Sequence, residues 1–417
     1  MGWNGDINVF VRAAVWLSDV HEFLRRHLRA MRDLQAPSGR FTDVAPVGHG
    51  FGGTLWGSAG VVLPWELFRH YGDTTLLREH YPAMRAYVDY LESKQNADGI
   101  LLEGPLGDWL SPEHERNDNT LLWKAYQVYL LRIVAKCAFI LGETNDVVRF
   151  NHQYGSQRAF LEAFYFRRAD GLSIHSGANA PRFGPPPPVP PRRGDTVDTQ
   201  ASYAIPLAFG LLNEPVASRA AAQLDRAIRR ENRDDGGTLR PAYSLMTGFI
   251  GTAAVANALT DYGYDSTAYR LLQRETYPSW LYLVKNGATT IWERLNSYTH
   301  DDGFGGNNAM NSFNHYAFGA VADWMYRYCL GYSTRHGRRF SEFCPRAHPR
   351  SDGADDLCTG ALRFALRTDR KQLGTRCERG GALPVRGTAE YGSRVAGTGT
   401  SDGSGRIGAG ADSGAGR

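Results

Sequence analysis

The sequence is poor in cysteine, and its cysteines form no recognisable pattern. There are five among 417 residues, none in a CxxC pair. Cys137 and Cys329 lie in apolar stretches that predict buried thiols, and the other three lie in the C-terminal region. Nothing therefore indicates a disulfide framework or a zinc site of closely spaced cysteines.

The sequence also lacks long apolar runs and a strong excess of charge. No run approaches the ~20 apolar residues of a membrane span. No N-terminal stretch combines a basic start, an apolar centre and a cleavage site. The net charge is only +4, and no basic run alternates with aromatics, which argues against a nucleic-acid partner. We expect a soluble protein with no membrane partner, in either the cytoplasm or the secreted fraction.

Several sequence motifs of common enzymes are missing. The chain has no GxSxG, no HExxH, no Walker loop and no GxGxxG after a strand. Its Gly-rich segments lack the strand-loop-helix context of a phosphate-binding loop. Acyl transfer, metalloprotease and nucleotide chemistry are therefore not indicated.

Aromatic residues, by contrast, are abundant. They make up 12% of the chain, and many Trp and Tyr residues stand beside Gly, Asp or Asn rather than inside apolar runs. This pattern suits a carbohydrate site, where flat rings stack on sugar faces. For any single Trp, packing in the core is an equally good explanation.

Apolar residues spaced three and four apart predict a helical protein. The predicted helices cover residues 7–33, 56–71, 74–97, 119–142, 155–167, 198–213, 216–231, 243–260, 262–275 and 312–331. Gly-rich loops separate them, and almost no stretch alternates with period two. This arrangement favours an all-α toroid over residues 1–334. The alternatives are an irregular helical domain and an α-solenoid, although no repeat of fixed length is visible.

Two segments depart from the helical pattern. Residues 178–195 are rich in proline and predict an exposed, extended loop. Residues 335–417 are rich in Arg, Gly, Ser and Asp and show no periodicity. Their composition predicts disorder. It is also what an out-of-frame reading of GC-rich coding DNA would produce.

The densest candidate for chemistry is Glu293, which lies between Trp292 and Arg294 in an irregular region. As a catalytic carboxylate it would act as a base on water or as an acid on a leaving oxygen, and a flanking Trp would tune its pKa. As a structural residue it would pair with Arg294. The spacing alone does not choose between the two.

Other loop segments also place polar residues close to Trp or at the start of a predicted helix. His315 follows Asn314 at the start of the last predicted helix. Asp108–Trp109 lie in a Gly/Pro loop, and Trp56 opens a helix. At the chain start, Trp3 and Asp6 belong to the segment GWNGD. Each segment alone is weak evidence. In a toroid, however, such loops would collect at one mouth, where carboxylates and aromatic rings together would form a sugar-hydrolysis site.

Eight segments, in order, resemble the catalytic domain of bacterial α-L-rhamnosidases, and together they span roughly residues 1–333. They are GWNGD (2–6), WGSAGVVLPWELFRHYGD (56–73), GDWL (107–110), DTQASYAIPLAFGLL (198–212), TGFIGT (247–252), YPSW (277–280), GATTIWERLNSY (287–298) and MNSFNHYAFGAVADWMYRY (310–328). The resemblance implies an (α/α)6 barrel of six helical hairpins. It also implies hydrolysis of terminal α-L-rhamnose with inversion of configuration, acting on a rhamnose-containing glycoside or oligosaccharide without a metal or other cofactor.

The same resemblance implies roles for particular residues. Glu293 matches the general base that activates the attacking water. The matching substrate-binding positions are Trp3, Asp6, Trp56, Trp109 and His315, and we expect their neighbours Asp108 and Trp292 to bind the substrate as well.

Two departures from the family pattern lead to further expectations. The family's first motif has the form DxPxRxERxGWxGD, and its Glu, the general acid, would fall two places before Met1. Ser58 also stands where the family usually has Asp. We therefore expect this chain to be inactive, or nearly so, on rhamnosides with poor leaving groups. A gene fragment, or a reading frame with a late start and a late frameshift, would explain both ends. The competing functions are a non-catalytic sugar-binding remnant and another (α/α)6 glycosidase or a sugar epimerase.

Overall fold

A computed structural model of the protein describes residues 2–184, 189–304 and 308–333, together with the short strand Cys344–Pro345. These residues all belong to one unit that runs from Met1 to Gly360. Apart from that strand, the segment 335–417 lies outside the described residues, and its predicted disorder stays a prediction.

The described part of the chain is dominated by helices. They are α1 (Asn4–Leu17), α2 (His21–Asp33), α3 (Thr54–Gly57), α4 (Ala59–Tyr71), α5 (Thr74–Glu92), α6 (Asn119–Leu141), α7 (Thr144–Tyr165), α8 (Gln200–Ala208), α9 (Val216–Arg229), α10 (Phe249–Asp261), α11 (Asp265–Leu272), α12 (Trp280–Lys285) and α13 (Val321–Trp324). Short 3₁₀ turns occupy His114–Arg116, Asn308–Met310 and Ala317–Ala320, and a π-helical turn occupies Met325–Cys329.

Six helical segments of the described residues close into an inner ring. Going round it, α1 is followed by α3–α4, α6, α8, α10 and the segment Ala317–Cys329, each in contact with the next. The last segment contacts α1 again and completes the ring. Helices α2, α5, α7, α9 and α11 pack around the outside of these inner helices. The predicted all-α toroid is thus confirmed.

The two layers differ in their sequences because they differ in their surroundings. An inner helix is covered on nearly all sides and can be apolar all round, whereas an outer helix needs a polar face. Almost every residue of α6 is buried, from Thr120 to Ala138 with few exceptions. Outer α9 instead buries Val216, Ala220 and Leu224 and exposes Arg219. Even α6, the longest of the described helices, is not long and apolar enough to qualify as a membrane span.

The structure divides the first predicted helix, 7–33, into two. Helix α1 ends at Leu17, Ser18 is extended with φ −158° and ψ 160°, and α2 begins at His21. The division is required because α1 lies in the inner ring and α2 outside it, so the chain must reverse. Apolar residues continue through the reversal, which is why periodicity alone does not reveal it. The last predicted helix, 312–331, is likewise a succession of 3₁₀, α and π turns.

In the described part of the chain, three two-stranded antiparallel pairings accompany the helices. Strand β1 (Gly2–Trp3) pairs with β2 (Val44–Ala45), and Trp3 lies opposite Val44. Strand β3 (Asn232–Arg233) pairs with β4 (Leu239–Arg240), and β5 (Tyr332–Ser333) with β6 (Cys344–Pro345). The first pairing holds Trp3 at the entrance to α1.

Candidate active site

The predicted site residues gather at one end of the ring. Inner and outer helices alternate along the chain as antiparallel hairpins, so the inner helices run parallel and their N-termini share one end. Asp6 lies in the first turn of α1 and Trp56 in α3. Trp109 belongs to the loop before α6, and His315 directly precedes the turn Ala317–Ala320. The helix N-termini at this end also favour negative charge, which suits carboxylates.

Backbone pairing sets the position of Glu293 relative to His315. The N–H of Glu293 donates to the carbonyl oxygen of Ser312 at 2.9 Å, and the N–H of His315 donates to the carbonyl oxygen of Ile291 at 2.9 Å. The hydroxyl of Thr290 donates to the carbonyl oxygen of Phe313. These bonds bind the irregular loop of Glu293 to the segment that leads into the last inner turns.

His315 stands between two carboxylates. Its Nε2 is hydrogen-bonded to Asp6 Oδ1, and its Nδ1 lies 3.8 Å from Glu293 Oε2. The side chains of His315 and Glu293 remain partly exposed, at 19% and 17%. Two carboxylates thus flank one imidazole ring at the mouth of the toroid.

The surroundings shift the pKa values of this group in a consistent way. Burial disfavours the charge of His315, but the hydrogen bond and charge of Asp6, with the charge of Glu293, raise its pKa above the usual range. Burial raises the pKa of Glu293, against the opposing attraction of His315, and the nearby charge of Asp6 raises it further. Glu293 therefore holds a proton more readily than an exposed Glu, as a group that takes a proton from water should.

The alternative structural partner of Glu293, Arg294, has a contact of its own. Its Nη2 donates to Asn311 Oδ1, and its charge lowers the pKa of Glu293 against the effect of burial. Glu293 is therefore more than an ion-pair partner of Arg294.

The four predicted site tryptophans are not equivalent. Trp3 and Trp109 are partly exposed. Trp56 and Trp292 are only 2% and 5% exposed, so that at most an edge of each ring is open. Trp292 packs edge-on against Phe313 and Tyr298. Trp3 and Trp109 thus keep ring surface open to solvent, whereas Trp56 and Trp292 are packed in the interior.

Asp108 is the fully enclosed member of the predicted site. Its side chain is fully buried, and its oxygens accept hydrogen bonds from the backbone N–H groups of Gly248 at 2.7 Å and Gly251 at 2.8 Å. Burial raises its pKa to about 6, despite these backbone donors. The carboxylate of Asp108 therefore joins the Trp109 loop to the start of α10, and its predicted part in substrate binding stays a prediction.

Three phenylalanines complete the surroundings of the site and were missed from the sequence. Phe249, which opens α10, places its ring 5.2 Å from that of His315, and its N–H donates to the carbonyl oxygen of Trp109 at 2.9 Å. Phe51 contacts Trp3, and Phe183 contacts Trp109. For Phe51 and Phe183 the available signal was a Phe next to glycine in a predicted loop, in GFGG and RFGP, which is too common to single out a site. Phe249 belongs to the matched segment TGFIGT, but no site role was assigned to it.

The described residues contain no group of three or more His, Cys, Asp or Glu side chains arranged to hold a metal ion. The chemistry that can be derived for this site rests on its carboxylates, its imidazole and its aromatic faces. A carboxylate of raised pKa beside aromatic platforms can deprotonate a water molecule next to a bound sugar.

The closed ring of hairpins and the carboxylates at its mouth define a six-hairpin toroid of the glycosidase type. The family model of the bacterial alpha-L-rhamnosidase 6 hairpin glycosidase domain matches residues 1–329. The chain belongs to this family, in agreement with the resemblance seen in its motifs.

Individual alpha-L-rhamnosidases are similar to this chain in sequence. An alpha-L-rhamnosidase of Streptomyces avermitilis is 34% identical over 336 residues, which are 79% of this chain and 29% of the relative. One of Alteromonas sp. (strain LOR) is 31% identical over 345 residues, 79% of this chain and 34% of the relative. The chain thus spans about a third of the length of the curated relatives it matches.

A solved structure extends the likeness to three dimensions. The crystal structure of Streptomyces avermitilis alpha-L-rhamnosidase complexed with L-rhamnose superposes with a TM-score of 0.69 at 32% identity. The match covers 84% of this chain and 30% of that one. The native rhamnosidase from Aspergillus terreus gives a TM-score of 0.66 at 28% identity and covers 79% of this chain and 36% of that one.

Proposed function

We propose that this domain binds terminal α-L-rhamnose of rhamnosides at the mouth of its toroid and hydrolyses the glycosidic bond with inversion, Glu293 acting as the general base. The observation that carries the proposal is the setting of Glu293. It is partly exposed, has a raised pKa and places Oε2 3.8 Å from Nδ1 of His315, in a loop whose backbone pairs with the segment around His315. The family and its rhamnose-bound structural relative support rhamnose as the sugar.

Within this proposal, His315 and Asp6 hold the base and bind the sugar. Asp6 accepts from His315 and favours its protonated form, and an imidazolium beside Glu293 favours the ionised carboxylate. Trp3 and Trp109 offer partly exposed faces on either side. Glu293 would take a proton from water as that water attacks the anomeric carbon, and the C–O bond to the leaving group breaks on the opposite face.

We propose further that none of three other aspartates at this end of the ring, Asp6, Asp43 and Asp108, is free to serve as the general acid. Asp6 accepts from His315. Asp43 is buried and accepts from the N–H of Gly53 at 3.0 Å and from Arg40 at 2.8 Å. Asp108 accepts two backbone N–H groups. Without acid assistance, hydrolysis should depend strongly on how well the leaving group departs unprotonated.

The test compares two leaving groups on this chain. We expect slow release of dinitrophenol from 2,4-dinitrophenyl α-L-rhamnoside. Hydrolysis of methyl α-L-rhamnoside, whose leaving group needs a proton, should be about 10²–10⁴-fold slower than in an enzyme that supplies a general acid. Glu293→Gln should abolish the activity, whereas Glu275→Gln, an exposed residue paired with Lys285, should not change it. Proton NMR should show β-L-rhamnose as the first product. Rapid hydrolysis of the methyl rhamnoside would refute the absence of the acid, and activity retained by Glu293→Gln would refute the role of the base.

The lack of a free second carboxylate also favours a second candidate, rhamnose binding without turnover. Calorimetry with L-rhamnose separates the two. Binding without any release of dinitrophenol would favour the binding function, and the absence of both would refute rhamnose as the ligand.

A further inference from the structure

An arc of four aromatic rings spans the mouth of the toroid. Trp3 lies 5.3 Å from Phe51 between ring centroids, Phe51 lies 5.4 Å from Phe183, and Phe183 lies 5.7 Å from Trp109. The arc therefore begins and ends on the two site tryptophans that are partly exposed. None of the motifs that carry the family likeness contains Phe51 or Phe183.

The two phenylalanines lie further out than the tryptophans. Phe51 is 44% exposed and Phe183 is 49% exposed. Their rings are nearly parallel, at an interplanar angle of 16°. Single exposed apolar side chains are common, but two adjacent and nearly parallel exposed rings form a contiguous apolar patch, which is the kind of surface that marks a binding site.

Both rings are held in place by contacts of their own loops. Beside Phe51, the N–H of Gly53 donates to Asp43 Oδ1, and Thr42 donates to the carbonyl oxygen of His49 at 3.2 Å. Beside Phe183, Arg182 pairs with Glu115. A platform fixed before binding loses little entropy when a ligand lies on it.

The arc connects to the carboxylates through a closed series of contacts. The carbonyl oxygen of Trp109 accepts a hydrogen bond from the backbone N–H of Phe249, and the ring of Phe249 contacts His315. His315 contacts Asp6 in the first turn of α1, immediately after Trp3. A sugar held among His315, Asp6 and the tryptophans would therefore direct its outward substituent, the leaving group, toward Phe51 and Phe183.

We propose that Phe51 and Phe183 form a leaving-group subsite that selects rhamnosides with a flat, aromatic leaving group. A planar ring can extend the parallel stack of the two phenylalanines, and it gains dispersion and apolar burial that a small alkyl group cannot. The inference rests on the proposed binding of rhamnose, because the sugar must be seated for its leaving group to reach the platform.

The test measures binding, so that it does not depend on turnover. Calorimetry compares phenyl α-L-rhamnoside with methyl α-L-rhamnoside, which share the sugar. We expect the phenyl compound to bind about tenfold more tightly. In F51A/F183A the two compounds should bind equally, with the affinity for the methyl compound unchanged. Both changes lie on exposed loops and should leave the fold intact.

Phe139→Ala is the matched control, because Phe139 is 77% exposed near the C-terminal end of α6, the end opposite the site. It should keep the tenfold preference. Equal binding of both compounds by the unaltered protein, or a preference retained by F51A/F183A, would overturn the subsite alone. Loss of methyl rhamnoside binding in F51A/F183A would also overturn it, since the rings would then support the sugar pocket. Failure of the unaltered protein to bind either compound would overturn the proposed function and this inference with it.

Discussion

Gly5, in the first turn of α1, faces the flat side of Trp56, and its replacement tests whether this close contact shapes the site. A Cβ at Gly5 would lie 2.4 Å from Cε2 and 2.6 Å from Nε1 of Trp56. The ring cannot retreat, because it is 2% exposed and a Cβ at Gly52 would likewise fall 2.2 Å from it. The indole is therefore closely enclosed by two glycines.

The expected effect of Gly5→Ala is the difference between two opposing contributions. Alanine in place of glycine in a helix stabilises by up to about 1 kcal/mol. Overpacking a rigid core site costs about 1–3 kcal/mol, and the enclosed ring places this site at the upper end. The net loss should be about 2 kcal/mol, with a melting temperature lower by a few degrees. Because Gly5 lies between Trp3 and Asp6, affinity for L-rhamnose should fall as well.

Gly155→Ala is the matched control. Gly155 lies within α7, is exposed, and has nothing within 4 Å of an added Cβ. Only the higher helix propensity of alanine over glycine applies there, so the variant should be more stable than the unaltered protein by up to about 1 kcal/mol. Thermal and denaturant unfolding of the two variants decide the matter. Equal stability of Gly5→Ala and Gly155→Ala would refute the packing argument.

Two further predictions concern the charged groups of the site. The imidazolium of His315 favours ionised Glu293, so His315→Gln should raise the pKa of Glu293 and move the acid limb of kcat/KM on an activated aryl rhamnoside to higher pH. His152→Gln, an exposed change on α7, should leave the profile unmoved, and an unmoved profile in His315→Gln would contradict the coupling. Asp108→Asn should cost about 1–3 kcal/mol, because an amide cannot accept from both Gly248 and Gly251 as the carboxylate does. Since burial raises the pKa of Asp108 to about 6 from 3.8, its contribution to stability falls as pH rises between those values. The variant should lose that slope in melting experiments from pH 4 to 6, and an unchanged slope would assign the slope to other groups.

Much of the architecture was accessible from the order of apolar and polar residues. Nearly continuous apolar character in 119–142 predicted a covered helix, and α6 is one. The reversal at Ser18 was not predicted, because the apolar spacing continues through it and only the docking of α2 outside the ring makes it visible.

The candidate site was predictable in part. Glu293 and His315 could be chosen because distinctive motifs surround them, and the structure brings both to the same mouth. The hydrogen bonds of Asp108 to Gly248 and Gly251 could not be predicted, since Asp beside Trp looks the same in a sequence whether or not its carboxylate accepts from two backbone N–H groups.

The amino-acid sequence by itself determined the helical character of the fold, the family and the carboxylate that stands at the centre of the proposed chemistry, because these depend on local periodicity and on short motifs. Only the tertiary structure decided which aromatic rings face outward. Phe51 and Phe183 belong to loops far apart in the chain, and they meet because the ring of inner helices closes and gathers its loops at one end. Contacts of that kind depend on closure of the whole fold, so no segment of the sequence carries them.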